Sequence, residues 1–154
     1  SIRESFRAVD KNLLLIVVTS LALGNLISTT GTAQFISDIF FNVLEDTSPT
    51  ILLSTFFILV SLLTNFISNN ACAVLFTPIG LDLAEKAGVD PKLFAISIIF
   101  AVNTSFLTPM AYQTNLLVMG PGHYKFVDYI RFGLPLTLIC WLTFTLFFPL
   151  YYNL

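Results

Sequence analysis

The sequence predicts an all-α integral membrane fold containing a re-entrant hairpin and a broken transmembrane helix. Three observations carry this. First, 56% of the 154 residues are hydrophobic and 10% are charged, with a mean hydropathy of +0.86; a soluble domain is about 25% charged. Second, the uncharged stretch Thr47–Leu81 is divided near its middle by Ser68-Asn69-Asn70. Third, the stretch Leu93–Tyr124 is interrupted by Asn103-Thr104-Ser105, Thr108-Pro109 and Gln113-Thr114-Asn115. The 16 Phe are also more than a chain of this length would readily bury in water.

The chain opens on Ser1 rather than Met, in a charged segment that reads as a cytoplasmic lead-in (1–12) of a longer polypeptide. Segment 13–48 reads as a transmembrane helix followed by an amphipathic one. Leu13–Leu23 is strongly apolar, Gly24-Asn25 follows, and with part of the next segment the run is long enough to span. Gly31-Thr32 marks a break. Beyond it Phe35, Ile36, Ile39, Phe40 and Val43 fall on one helical face, predicting a helix near the interface.

Segment 49–84 is the hairpin. Pro49 starts it, and Asp82, Glu85 and Lys86 end it. Three small polar side chains amid Leu, Ile, Phe and Val need a reason, because an unsatisfied polar group in hydrocarbon costs several kcal/mol, roughly. The triplet leaves two arms of about 17 residues, each rising about 25 Å as a helix, short of a hydrocarbon core of about 30 Å. Two short arms meeting at a polar tip predict re-entry, and such tips hold ions and solutes.

Segment 92–123 is the broken helix. Pro109 removes a helix hydrogen bond and clashes with the preceding turn. Amides and hydroxyls crowd around it, which predicts an unwound stretch at membrane depth. Asn103, Thr104 and Ser105 suit either helix packing or the same cavity. Segment 127–154 is the last helix. It ends in Phe147, Phe148, Tyr151 and Tyr152, an expected aromatic belt.

Lys and Arg set the expected orientation. With a cytoplasmic N-terminus, Arg3, Arg7, Lys11, Lys125 and Arg131 lie inside, and Lys86 and Lys92 outside. That distribution obeys the positive-inside rule. The net charge of −2 argues against nucleic acid as a partner. Cys72 and Cys140 read as small buried residues with no zinc spacing, and no secretory signal pattern is visible. An enzyme needs a nucleophile and base, or paired acids, at depth; the single histidine, His123, reads as near an edge and no carboxylate lies inside a predicted span. Isolated residues such as Ser54 and Thr143 read as helix packing. Asp82, Glu85 and Asp128 read as loop charges.

Thr64, Ser68-Asn69-Asn70-Ala71 and Phe76-Thr77-Pro78-Ile79 resemble the second hairpin of the divalent anion/sodium symporter family, part of the ion transporter superfamily of citrate, dicarboxylate and sulfate carriers. That family's tips carry Ser-Asn-Thr, and Asn70 replaces the Thr here. Thr108-Pro109-Met110-Ala111-Tyr112-Gln113-Thr114-Asn115 resembles the unwound loop after the hairpin, with the proline displaced upstream to Pro109. Gly120-Pro121-Gly122 through Asp128, Arg131, Gly133 and Pro135 resembles one branch of the family. The resemblance implies the second of two inverted repeats of an elevator-type carrier, dimeric and in the plasma (inner) membrane. It implies substrate binding by Ser68, Asn69, Asn70, Thr108, Pro109, Thr114 and Asn115. It implies Na+ as coupling ion, held by Thr64, Ser68, Asn69 and Ala111. The N-terminal repeat of the same polypeptide would complete the site.

The chemistry is coherent beside the resemblance. Facing half-helices point N–H groups at an anion. Neither polar break contains Arg or Lys, so neutral donors would hold the anion and a bound cation would offset its charge. Mutual stabilisation of the two is the coupling of symport. A proton-coupled antiporter or arsenite-type carrier of the same superfamily is an alternative, as is a passive channel or a non-transporting membrane subunit.

Overall fold

The computed structural model describes residues 11–44 and 47–152. Residues 1–10, including Arg3 and Arg7, and Glu45 lie outside the described residues. Seven helices, and no strands, form among the described residues: α1 (Lys11–Thr29), α2 (Thr32–Val43), α3 (Pro49–Leu63), α4 (Asn69–Ala87), α5 (Pro91–Val102), α6 (Gln113–Met119) and α7 (Phe126–Tyr152).

Three helix starts carry a side-chain cap, those of α3, α4 and α5. Ser48 caps α3, accepting a bond from Ile51 N, and Pro49 follows it in the first turn, where its missing N–H is harmless. Asp90 caps α5 in the same way, accepting from Lys92 N, again with a proline next. Gly88 ends α4 at φ 65°, a left-handed conformation that suits glycine, and the chain turns back directly into α5. α4 carries Pro78 in its interior. One residue earlier, Thr77 Oγ1 donates to the carbonyl of Ala73 at 2.6 Å.

Four helices meet at Phe56 of α3. Its ring meets Phe40, Phe76 and Phe94 edge-on, with centroids 6.0, 6.1 and 5.3 Å away. On the next position Phe57 stacks on Phe144 at 4.4 Å, and Phe144 stacks on Phe148 at 4.5 Å, fastening α7 to α3. In lipid, where apolar transfer between helices is nearly neutral, such contacts hold helices by close packing and ring geometry. Trp141 Nε1 donates to Ser54 O at 3.1 Å, and Ser54 Oγ pairs with Thr145 Oγ1 at 2.7 Å.

Three sequence expectations change in detail. The hairpin turn occupies 64–68 rather than Ser68-Asn69-Asn70, giving unequal arms of 15 and 19 residues. Ser68 is a favourable N-cap, so the two asparagines begin a helix instead of interrupting one. Phe148 is buried against Phe144 and not free for an interfacial belt. On α2, Phe35, Ile39 and Val43 face outward, while Ala33 and Ser37 are buried and Phe40 packs on the core.

Among the described residues, α7 is the one helix long and apolar enough to cross a membrane. α3 and α5 are apolar but short. At about 1.5 Å per residue they rise about 22 and 18 Å. α5, the irregular segment 103–112 and the seven-residue α6 together make the interrupted helix.

Candidate functional site

Two breaks in helical structure, 64–68 and 103–112, lie against each other. The sequence makes both breaks polar, and burial forces their polar groups to find partners. Thr64, Asn65, Thr104, Ser105 and Thr108 are all buried.

Asn65 is the centre of this contact and is fully buried. Its Nδ2 donates to Ser61 O at 2.7 Å and to Thr104 O at 3.4 Å. Its Oδ1 accepts from Leu107 N at 2.7 Å. Its own carbonyl accepts from Thr108 Oγ1 at 2.6 Å. One residue therefore engages three partners in the loop and one in the preceding helix, α3. Ser61 Oγ and Thr104 Oγ1 add a further hydroxyl pair between α3 and the loop.

The surrounding groups extend this network. Thr64 Oγ1 lies 2.8 Å from Asn69 Oδ1 and 3.2 Å from Val102 O, sharing one proton between them. Asn69 Nδ2 donates to Ser105 Oγ at 3.2 Å. Thr108 Oγ1 accepts from Ala111 N at 3.1 Å. Asn115 Nδ2 donates to Ser105 O at 2.9 Å and Thr108 O at 3.3 Å, and Tyr129 OH donates to Asn115 O at 2.6 Å. The last bond ties the start of α6 to α7.

α7 supports the loop from behind. A methyl at Gly133 would lie 2.2 Å from Phe106 O and 2.6 Å from its carbonyl carbon. Only a hydrogen fits there, so loop backbone and helix come into direct contact.

The whole chain, residues 1–154, matches the citrate transporter family. The chain belongs to that family. An uncharacterized transporter of Synechocystis sp. is 34% identical over 97% of this chain and 24% of its own length. A sodium-dependent low-affinity dicarboxylate transporter of Caenorhabditis elegans is 36% identical over 51% of this chain and 13% of its own length. A sodium/sulfate cotransporter of Chlamydomonas reinhardtii is 29% identical over 51% of this chain and 9% of its own length. The chain thus spans a quarter or less of each relative.

Within this transporter-family chain, the structure joins most of the residues singled out by sequence. Thr64, Asn69, Thr108, Ala111 and Asn115 belong to one connected network. Ala111 reaches the tip only through Thr108, which bonds both Ala111 N and Asn65 O. Pro109 is buried in the loop. Ser68 is exposed and caps α4, accepting from Ala71 N at 3.3 Å. Asn70 and Thr114 are exposed. Asn103 is exposed and its Nδ2 returns to Ile99 O at 2.7 Å, so it serves its own helix.

Asn65 is the residue that sequence reasoning missed. A signal was present: an amide beside Thr64 in an otherwise apolar run. The neighbouring Ser68-Asn69-Asn70 triplet is the stronger local polar signal. Asp82, Glu85 and Asp128 are not loop charges. Asp82 and Glu85 lie within α4, where Asp82 pairs with Lys86 Nζ at 2.6 Å. Asp128 lies in the first turn of α7 and accepts from Lys125 N at 2.7 Å.

Proposed function

We propose that this chain is one inverted repeat of an elevator-type secondary transporter that takes up a small divalent anion, sulfate or a dicarboxylate, with sodium. One observation carries the reading: the turn 64–68 between α3 and α4 and the non-helical segment 103–112 are bonded to each other entirely through neutral groups, as a re-entrant tip and an unwound loop would be. Thr64 Oγ1, Asn69 Oδ1 and Ser68 Oγ are hard oxygen donors of the kind sodium takes. Ser68, Asn70 and Thr114 are exposed and available to a ligand or to the facing repeat. Bound sodium would offset anion charge that no Arg or Lys of either break can meet. Two relatives named for sodium-dependent dicarboxylate and sodium/sulfate transport support the substrate class. The working protein is a homodimer in the plasma (inner) membrane, with the N-terminal repeat of the same polypeptide completing the site.

The test is uptake of labelled sulfate and succinate into vesicles holding the full-length protein, with and without an inward sodium gradient. Accumulation of either anion above equilibrium with sodium is the expected result. Accumulation driven by a pH gradient and indifferent to sodium would replace symport with proton coupling. Flux that only runs downhill would make the protein a channel.

A further inference from the structure

We propose that Asn65 is the positioning residue that holds the hairpin tip and the unwound loop in one register, so that sodium and anion meet a single preformed surface. This deepens the proposed transport reading and rests on it. Asn65 is fully buried and uses its side-chain carbonyl, its side-chain amide and its backbone carbonyl on the loop at once. Its donor and acceptor cannot be exchanged. Nδ2 faces two carbonyl oxygens, Ser61 O and Thr104 O, while Oδ1 faces the N–H of Leu107.

Other tethers hold the loop at Thr104, Ser105 and Phe106, but the Asn65 side chain is the one that bonds the loop on both sides of Phe106, at Thr104 and Leu107. The loop has no helical hydrogen-bond ladder, and α6 begins at Gln113 without a side-chain cap. Three of the residues assigned to sodium and anion, Thr64, Thr108 and Ala111, connect to this anchor. Thr64 precedes Asn65 in sequence, and Thr108, which bonds Asn65 O, also holds Ala111 N. A shift of about 1 Å at such a joint is enough to spoil a coordination geometry. Asn65 acts through these neighbours, without touching the ligands.

The amide's hydrogen bonds supply a discriminating test. Asn65→Leu keeps the side chain's volume in the buried joint but removes the donor to Ser61 O and Thr104 O and the acceptor for Leu107 N. Asn65→Ala removes the volume as well. Asn65→Leu, Asn65→Ala and the wild type are compared as full-length protein in vesicles, using whichever of sulfate and succinate the wild type accumulates. Half-saturating concentrations and maximal rates are read as ratios to wild type, alongside folded yield from size-exclusion chromatography.

The half-saturating concentrations of sodium and anion should both rise at least about fivefold in Asn65→Leu, with folded yield kept and the maximal rate less affected, and Asn65→Ala should raise both at least as much. Half-saturation equal to wild type in both variants would overturn the proposal. So would a loss of folded yield that explains all lost uptake, or failure of both variants to fold, because Asn65 would then serve the fold alone. A wild type without sodium-driven uptake would instead overturn the transport reading.

Discussion

The two ends of α4 hold their neighbours by opposite chemistry. At its N-terminal end, Asn69 joins a buried network of amides, hydroxyls and carbonyls with no formal charge. About 25 Å away along the same helix, Lys86 Nζ lies 2.6 Å from both Asp38 and Asp82 and 2.5 Å from Ser37 Oγ, clasping α2. Asp38 is 59% exposed at the clasp, whereas Thr64 and Asn65 at the network are at 0%. The difference follows burial. A charge is expensive to bury unpaired, while water at a helix end tolerates it. On the proposed transport reading, the neutral groups leave room for a bound cation to supply the missing charge, and the clasp serves as attachment.

The strongest way to break this comparison is through α7. Gly133→Val would force side-chain atoms into the Phe106 backbone and displace the loop, destabilising by about 3 kcal/mol or more. Loss of both folded yield and uptake is expected in a thermal melt and a vesicle assay. Tolerance of this change would mean that the loop is not held against α7.

Asn69→Ala should act more selectively. The expected result is about a tenfold rise in half-saturation for sodium and anion together, equivalent to about 1.4 kcal/mol, with the melting temperature little changed. A rise for one ligand only would separate the two sites. Pro109→Ala should lower uptake several-fold at unchanged expression, by letting the unwound loop recover helix. Wild-type uptake in that variant would remove the unwound loop from the mechanism.

The smallest effect belongs to the clasp. Burial opposes the charge on Lys86, but hydrogen bonds to Asp38 and Asp82 and their charges outweigh it and hold its pKa above the ordinary lysine value. That stability is present in full below the unfolded lysine pKa and is lost as pH rises through the raised folded value. The clasp therefore holds across neutral pH. Lys86→Met should cost about 1 kcal/mol or less, given the exposure of Asp38. It should loosen α2 in hydrogen exchange without altering sodium dependence. A changed sodium half-saturation would couple the clasp to the network.

Much of this architecture was legible in the residues. Pro49 and the polar interruptions located the hairpin, the loop and the turns, because proline and small polar residues act locally. Ser68 was legible as a polar signal but not as a cap, since a cap is defined by the backbone it meets. Asn65 and Gly133 were not legible as a joint. Each gains its role from a partner some 40 or 27 positions away in sequence, Leu107 and Phe106, and no local pattern encodes such a meeting. The Asp38–Lys86 pairing was hidden for the same reason, with only the i,i+4 spacing of Asp82 and Lys86 visible along the helix.

If sodium and anion stabilise one another at a shared tip, their binding is reciprocal, and this is measured directly. In purified full-length protein, sodium affinity is measured with and without saturating anion, and anion affinity with and without saturating sodium. The account predicts that each ligand tightens the other by the same factor, at least about fivefold, and that Asn69→Ala removes both effects. Affinities that do not depend on the other ligand would contradict it.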